Sequence, residues 1–347
     1  MRPAMPAIAD LPLWAVVGVF VASAAAIALA GSKLSGIADA LADRTGMGEV
    51  VAGALFVGAA TSLPGAITSV TTAAQGAAGL AIGNALGGLT AQTAFIAIAD
   101  LFYRRANLEH AAASATGLAQ GVLLVALLAM PLIAAAEPPV TVFGVHPVSL
   151  LIPLAYGFGL KLLSRIQTAP MWKPVETEET REAISEPDEG DGAVTDRSLW
   201  LRFLLFAGIT AVAGYAIGRA SIGIVGATAL SETAVGTIFS AIANSLPELV
   251  TAIAAVRLGA VSLAVGDVIG GNAFEVMFLS AADLFYDGSI YAAMTEQDRT
   301  TGLIAMLMTA VLLLGMIRRQ KSGPGNIGFE SALVLLLYAG SVVLIFL

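Results

Sequence analysis

Residues 243–252 read ANSLPELVTA, and 183 positions earlier residues 60–69 read ATSLPGAITS. Both stretches place Ser-Leu-Pro inside a long apolar segment. A proline in a helix interior has no N–H to give and presses on the carbonyl four residues back; here those carbonyls belong to Ala60 and Ala243. In lipid, such a break is tolerated where it is buried in protein or lines a wet cavity. A freed carbonyl is a hard oxygen ligand suited to Na⁺ or Ca²⁺. Thr61, Ser62, Asn244 and Ser245 add further oxygens beside it. One motif of this kind is ordinarily a packing kink with back-bonded hydroxyls. Two at matching positions, one followed by Glu248 and the other by Gly65, point instead to ion chemistry.

The match extends well beyond ten residues. Shifted by 183, residues 49–103 align with 232–286 without a gap and share 21 identical pairs in 55 positions. The pairs include Glu49/Glu232, Thr68/Thr251, Gly83/Gly266, Gly87-Gly88/Gly270-Gly271 and the run ADLFY ending at Tyr103 and Tyr286. Biased composition gives roughly five such pairs by chance, so the chain carries an internal duplication.

At 57% hydrophobic and 12% charged residues, with a mean hydropathy of +0.86, the chain is too apolar for a soluble domain of 347 residues. Apolar runs of about 20 residues recur, the length that crosses a bilayer. Ten helices are expected near 11–30, 48–74, 77–103, 111–135, 147–167, 199–218, 232–257, 260–286, 301–317 and 328–347. The first is expected to be a retained span rather than a cleaved leader, because Asp10 and three prolines spoil the basic start of a signal peptide. The stretch PVETEETREAISEPDEGDGAVTD has no apolar periodicity and reads as a solvated acidic loop over 168–198, between halves 1–167 and 199–347. Alternate connections hold 14 of the 17 Lys and Arg. The positive-inside rule then puts the acidic loop in the cytoplasm and both termini outside, in a plasma (inner) membrane. Five helices separate equivalent points, so the two copies are expected to lie upside down to each other. This is an all-α polytopic membrane protein of ten transmembrane helices in two inverted five-helix repeats, with helices 2 and 7 broken. There is no cysteine, and no nucleophile–base pair, phosphate loop or multi-histidine motif, so an enzyme is not expected. The net charge of −8 comes largely from one loop and says nothing about nucleic acid.

Carboxylates inside a membrane are functional by default. Glu248 lies at the middle of helix 7 and Asp267 within helix 8; Asn244 shares a helix face with Glu248. Glu275 lies two turns past Asp267, rotated by roughly 80° at the helical period, so lining the same path and packing both remain open for it. Copy one is chemically weaker. It has Thr61, Gly65, Asn84, Leu89 and Gln92 where copy two has Asn244, Glu248, Asp267, Asn272 and Glu275. Asp100 and Asp283 read as interfacial anchors or caps, and Glu49 and Glu232 as favourable charges at helix starts, with ion entry as the alternative. The glycine pairs suit close helix approach. His110 and His146 fall in loops and take no role.

These motifs resemble those of the cation/Ca²⁺ exchanger superfamily, which includes the sodium/calcium exchangers. Its two inverted repeats carry G-T-S-L-P-E and G-[ND]-x-[IL]-G-[SG]-N. The counterparts are ATSLPG (60–65) with GNALGG (83–88), and ANSLPE (243–248) with GDVIGG and Asn272. The resemblance implies a diamond of cation sites at the membrane centre. Carried over by position, Glu248, Asp267, Asn84 and the Thr61 hydroxyl keep their roles, Asn244 replaces a threonine, and the first glutamate is lost at Gly65. Leu80 and Leu263 stand where the family often has serine. The expected function is secondary antiport of Ca²⁺ or another divalent cation against Na⁺ or H⁺, around Glu248 and Asp267. The cations are cargo, no cofactor is expected, and the partners are inorganic ions and the bilayer. Two alternatives stand beside it: an antiporter of monovalent cations and protons only, and a non-transporting homologue acting as a sensor or partner subunit.

Overall fold

The structure, a computed structural model, describes residues 8–45, 57–103, 105–138, 140–175, 177, 196–323 and 327–347. Glu49 and nearly all of the acidic loop lie outside these residues. The described residues form helices α1 (Leu13–Thr45), α2 in two pieces (Ala59–Thr61 and Leu63–Ala73), α3 (Ala78–Asp100), α4 (Ala115–Ala136), α5 (Pro147–Thr168) and α6 (Asp196–Ala227). After these come α7, which runs as Glu232–Ala234, a π-helical stretch Val235–Ser240, Ala241–Asn244 and Leu246–Leu258, then α8 (Val261–Asp283), α9 (Glu296–Arg318) and α10 (Phe329–Ile345). No strand occurs among them.

Six of these helices are long and apolar enough to cross a membrane, or seven if the bent α7 is one span; α10 is apolar but shorter. The exposed side chains of α1 and α6 include Trp14, Val21, Leu29, Leu204 and Leu205, an apolar surface suited to lipid. Two boundaries differ from expectation by nine residues or more. Helix α1 continues to Thr45 rather than ending near 30, and α6 to Ala227 rather than near 218. The polar residues taken as connections are accommodated inside the helices. Ser32 returns its hydroxyl to Ala28 O at 2.7 Å, and Arg219 donates from Nη1 to Gln75 Oε1 at 2.7 Å.

Helix α3 is buried on nearly every side, packed among α2, α7, α8, α9 and α10. Its glycines make this possible. A Cβ on Gly83 or Gly87 would lie 2.9 Å from Thr237 N or 2.5 Å from Thr237 Cα, so α3 and the π-helical stretch of α7 touch backbone to backbone. Glu232 belongs to this contact: its Oε2 accepts Gly79 N at 2.9 Å, so the charge serves the start of α3 as well as its own helix, which Ser231 caps.

The halves are also crossed. The Leu63–Ala73 piece of α2 packs on α6, and the Leu246–Leu258 piece of α7 on α1. Pro64 lies tight against Gly214 of α6, and Pro247 against Gly31 of α1. Both glycines and both prolines are 183 positions apart.

Asp100 and Asp283 act as caps, in line with expectation, and each reaches across the halves. Asp100 accepts Leu108 N at 2.7 Å and Gly328 N at 3.1 Å; Asp283 accepts Ile290 N at 2.8 Å, His146 N at 2.8 Å and Ser149 Oγ at 2.6 Å. Each thereby secures the turn after its own helix and the start of α10 or α5. The two histidines are not loose loop residues. His146 caps α5, and His110 sits in a buried helical turn, Leu108–Ala111, with Nδ1 2.7 Å from Arg319 O. Beside it Glu109, 2% exposed, takes a bond from Ser331 Oγ at 2.7 Å. Burial, and then the neighbouring Asp100, push its carboxyl up to about 7.

Candidate functional site

Both Ser-Leu-Pro motifs break their helices at the serine. Ser62 separates the pieces of α2 with φ −80° and ψ −5°, and Ser245 those of α7 with φ −96° and ψ 7°; α7 bends by 46° there. The proline two residues on withholds its N–H, so the helix restarts instead of continuing. Ala60, Ser62, Ala243 and Ser245 are all buried at these breaks, where α2, α3, α7 and α8 meet.

Around the first break the polar atoms close on themselves. Asn244 donates from Nδ2 to Asn84 Oδ1 at 2.7 Å and to Thr68 Oγ1 at 3.0 Å. Asn84 donates to Gly65 O at 3.0 Å and to Ser69 Oγ at 2.8 Å. The Thr68 hydroxyl reaches Gly214 O at 2.8 Å and Pro64 O at 2.9 Å, and Ser69 donates to Ala81 O at 3.1 Å. This cluster joins both copies, is fully buried and carries no charge.

Around the second break the arrangement is the reverse. Both carboxylate oxygens of Glu248, 6% exposed, have no hydrogen-bond partner among the described residues. The Thr61 hydroxyl lies close to that carboxyl, but its proton is directed at Val57 O, 3.1 Å away. Gln92 donates from Nε2 to Glu275 Oε1 at 2.6 Å and to Ser245 Oγ at 3.2 Å. That leaves Glu275 Oε2, Gln92 Oε1, Asn272 Oδ1 and Ser62 Oγ also without partners among the described residues. Glu248 and Glu275 are near enough to feel each other's charge. Buried acceptors outnumbering donors favour a proton or a cation.

Two of these contacts join equivalent positions of the duplication: Gln92 to Glu275, and Asn272 Nδ2 to Leu89 O at 3.5 Å, are each separated by 183 residues. Glu275 therefore meets its own counterpart in the interior.

Asp267 stands apart from both clusters. It is exposed on the wall of a cavity of about 640 Å³ that it shares with Glu248, Thr61, Thr251, Ser262 and Gln120. Asp39 of α1 lies within electrostatic reach of it. Sequence reasoning passed over Asp39, Gly31, Gly214 and Ser69. The two glycines lie at the repeat's own offset, outside the ungapped block 49–103, and the other two carried no motif.

Two groups close on Gly65, where the first copy lacks a glutamate: Asn84 reaches its carbonyl at 3.0 Å, and a ring lies where its side chain would stand. In the structure a Cβ at Gly65 would lie 2.7 Å from Cε2 and 3.3 Å from Cζ of Phe278, so an aromatic ring fills that place.

Known proteins bear on this arrangement. The chain aligns at 32% identity over 148 residues with the inner membrane protein YrbG of Escherichia coli (strain K12), covering 42% of this chain and 43% of that protein. It aligns at 30% over 118 residues with the sodium/calcium exchanger MaX1 of Methanosarcina acetivorans, covering 34% and 32%. The chain thus spans less than half the length of either relative in these matches. Its fold is similar to the crystal structure of the H⁺/Ca²⁺ exchanger CAX, with a TM-score of 0.69 and 15% identity over 94% of this chain and 82% of that one. Residues 15–157 and 198–347 match the sodium/calcium exchanger protein family, which covers both clusters and both broken helices. The chain belongs to the sodium/calcium exchanger family of membrane proteins.

Proposed function

We propose that this chain is a secondary cation antiporter, exchanging Ca²⁺ or another divalent cation against Na⁺ or H⁺ by alternating access. The observation that carries the reading is Glu248. A buried carboxylate with neither oxygen hydrogen-bonded has to hold a proton or a cation, and this one lines the cavity of about 640 Å³. Ser62, Gln92 and Glu275 supply further oxygens beside it, and Asp267 receives ions on the cavity wall. Two ions competing for the same carboxylates is what couples their movements, because only a difference in affinity between states drives exchange.

The ten-span, two-fold inverted architecture belongs to the same proposal. Four observations support it: the paired glycine–proline contacts, the matched caps of Asp100 and Asp283, and the two contacts between equivalent positions. The cavity continues toward a shallower pocket lined by Lys173 and Arg319 and shares Ser114, Thr116, Gln167 and Ser262 with it. Charge bias makes that face cytoplasmic, so we read the conformation as open to the inside, with both termini outside.

Flux of Ca²⁺, Na⁺, K⁺ and H⁺ in proteoliposomes, each gradient imposed separately, tests the reading. Glu248→Gln should abolish exchange while leaving the protein monodisperse; undiminished flux in that variant would sink it. A monovalent-only antiporter is the second reading, favoured by the small number of carboxylates beside the break, since Ca²⁺ takes six to eight oxygens and its affinity follows how many are charged. It predicts Na⁺ or K⁺ flux with no Ca²⁺ dependence. No flux under any gradient would leave a non-transporting homologue.

A further inference from the structure

We propose that Phe278 is a specificity-determining residue. Its ring stands at the position that pairs with Glu248 across the duplication and closes that half of the site to cations, leaving a single cation-binding half around Glu248. The inference rests on the cation-site reading above and sharpens it.

Three observations on different elements carry it. The first is steric. A side chain at 65 on α2 and the Phe278 ring on α8 exclude each other, because even a Cβ would meet Cε2 at 2.7 Å. Phe278 is 2% exposed and has little room to retreat. It stands edge-on to Phe274 at 6.3 Å, and Phe274 stands edge-on to Tyr156 at 6.0 Å. The equivalent ring in copy one is Phe95, so what separates the copies at this point is the glycine, not the aromatic.

The second is the state of the neighbouring amides. Asn84 spends both donors on Gly65 O and Ser69 Oγ, and its oxygen takes the amide of Asn244. Among the described residues every side-chain oxygen and nitrogen of Thr68, Ser69 and Asn84 is engaged, and the weakest link is Asn244 Oδ1, whose one neighbour is the Thr68 hydroxyl at 3.4 Å. A cation entering here would have to break neutral hydrogen bonds and would find no charge in exchange.

The third is the contrast across the site. On the Glu248 side the unpartnered acceptors are Glu248 Oε1 and Oε2, Glu275 Oε2, Gln92 Oε1, Asn272 Oδ1 and Ser62 Oγ. One half is saturated and plugged by an aromatic ring; the other is short of donors. A site built this way takes one divalent cation at a time, or the monovalent ions that replace it.

The test uses the purified full chain in nanodiscs and titration calorimetry with CaCl₂ and with NaCl. The wild type should bind one Ca²⁺ per chain. Gly65→Glu combined with Phe278→Ala should tighten Ca²⁺ by about tenfold or more, since affinity follows the number of charged ligands. Gly65→Glu alone and Phe278→Ala alone should not. Equal tightening by Gly65→Glu alone would overturn the role of Phe278, as would a folded double variant whose Ca²⁺ affinity is unchanged. A stability arm needs no ion. Gly→Ala within a helix ordinarily stabilises, but Gly65→Ala should lower the Tm in the wild-type background and not in the Phe278→Ala background. An equal effect in both backgrounds overturns the contact. Glu248→Gln separates the two ideas. If it binds Ca²⁺ and Na⁺ as the wild type does, the cation-site reading fails, and the stability arm still decides the packing of Phe278 against Gly65.

Discussion

Asn244 and Ser62 sit one break apart and have opposite hydrogen-bond status. Asn244 is held by Asn84 and Thr68, whereas the Ser62 hydroxyl has no partner among the described residues. Removing one partner of a buried hydrogen bond leaves the other unsatisfied, at a cost of about 1–3 kcal/mol. Asn244→Ala should therefore lower stability by about that amount, read as a fall in Tm in detergent. Ser62→Ala gives up no bond and should leave Tm nearly unchanged while affecting cation binding. If the two variants lose stability equally, the division into a saturated half and an open half is wrong. The same contrast explains why Asn84 and Asp267 differ in surroundings although they occupy equivalent positions: one is locked among amides, and the other faces the cavity.

At the scale of elements, the broken helices were legible in the sequence because proline acts locally: the interruption is fixed by the residue and its neighbours four positions back. The ends of α1 and α6 were not legible, because the polar residues there are absorbed by bonds such as Ser32 to Ala28 O, which hydropathy alone does not register. Nor could the ring over Gly65 be read, since Phe278 lies on a distant helix and carries no motif. Glu109 shows the same limit in a short turn. It falls between the expected third and fourth helices and belongs to no motif, yet it is buried against Asp100 and Ser331. Its carboxyl is raised from 4.5 to about 7. A raised carboxyl contributes stability that is whole below its unfolded pKa and lost as pH rises through the folded one. Wild-type Tm should therefore slide downward between pH 4.5 and about 7 by Glu109's share. Glu109→Gln should flatten that part of the profile; an identical slope in the variant would rule out Glu109 as the group that titrates there.

For the molecule as a whole, the two copies are in different environments at one moment. Gly83 and Gly87 are pressed on the backbone of α7 and Gly79 on the Glu232 side chain, while their equivalents Gly266, Gly270 and Ser262 border the cavity. The chain has no cysteine, so each introduced thiol is unique. Ser262→Cys should react with a membrane-impermeant maleimide in inside-out vesicles and not in right-side-out ones, while Ser240→Cys, 1% exposed, should react in neither. Labelling of Ser262→Cys from the opposite side would reverse the orientation. The meeting of Gln92 with Glu275 has a consequence for ancestry. In a symmetric dimer a residue on the two-fold axis faces its own copy. In a dimer of identical halves, two glutamates meeting there would have to share one proton to avoid repulsion. The duplicated chain meets the same problem with two different residues: an amide on one copy donates to the carboxylate on the other, 2.6 Å away. The proton that an identical pair would have to hold in place is thereby left free to come and go.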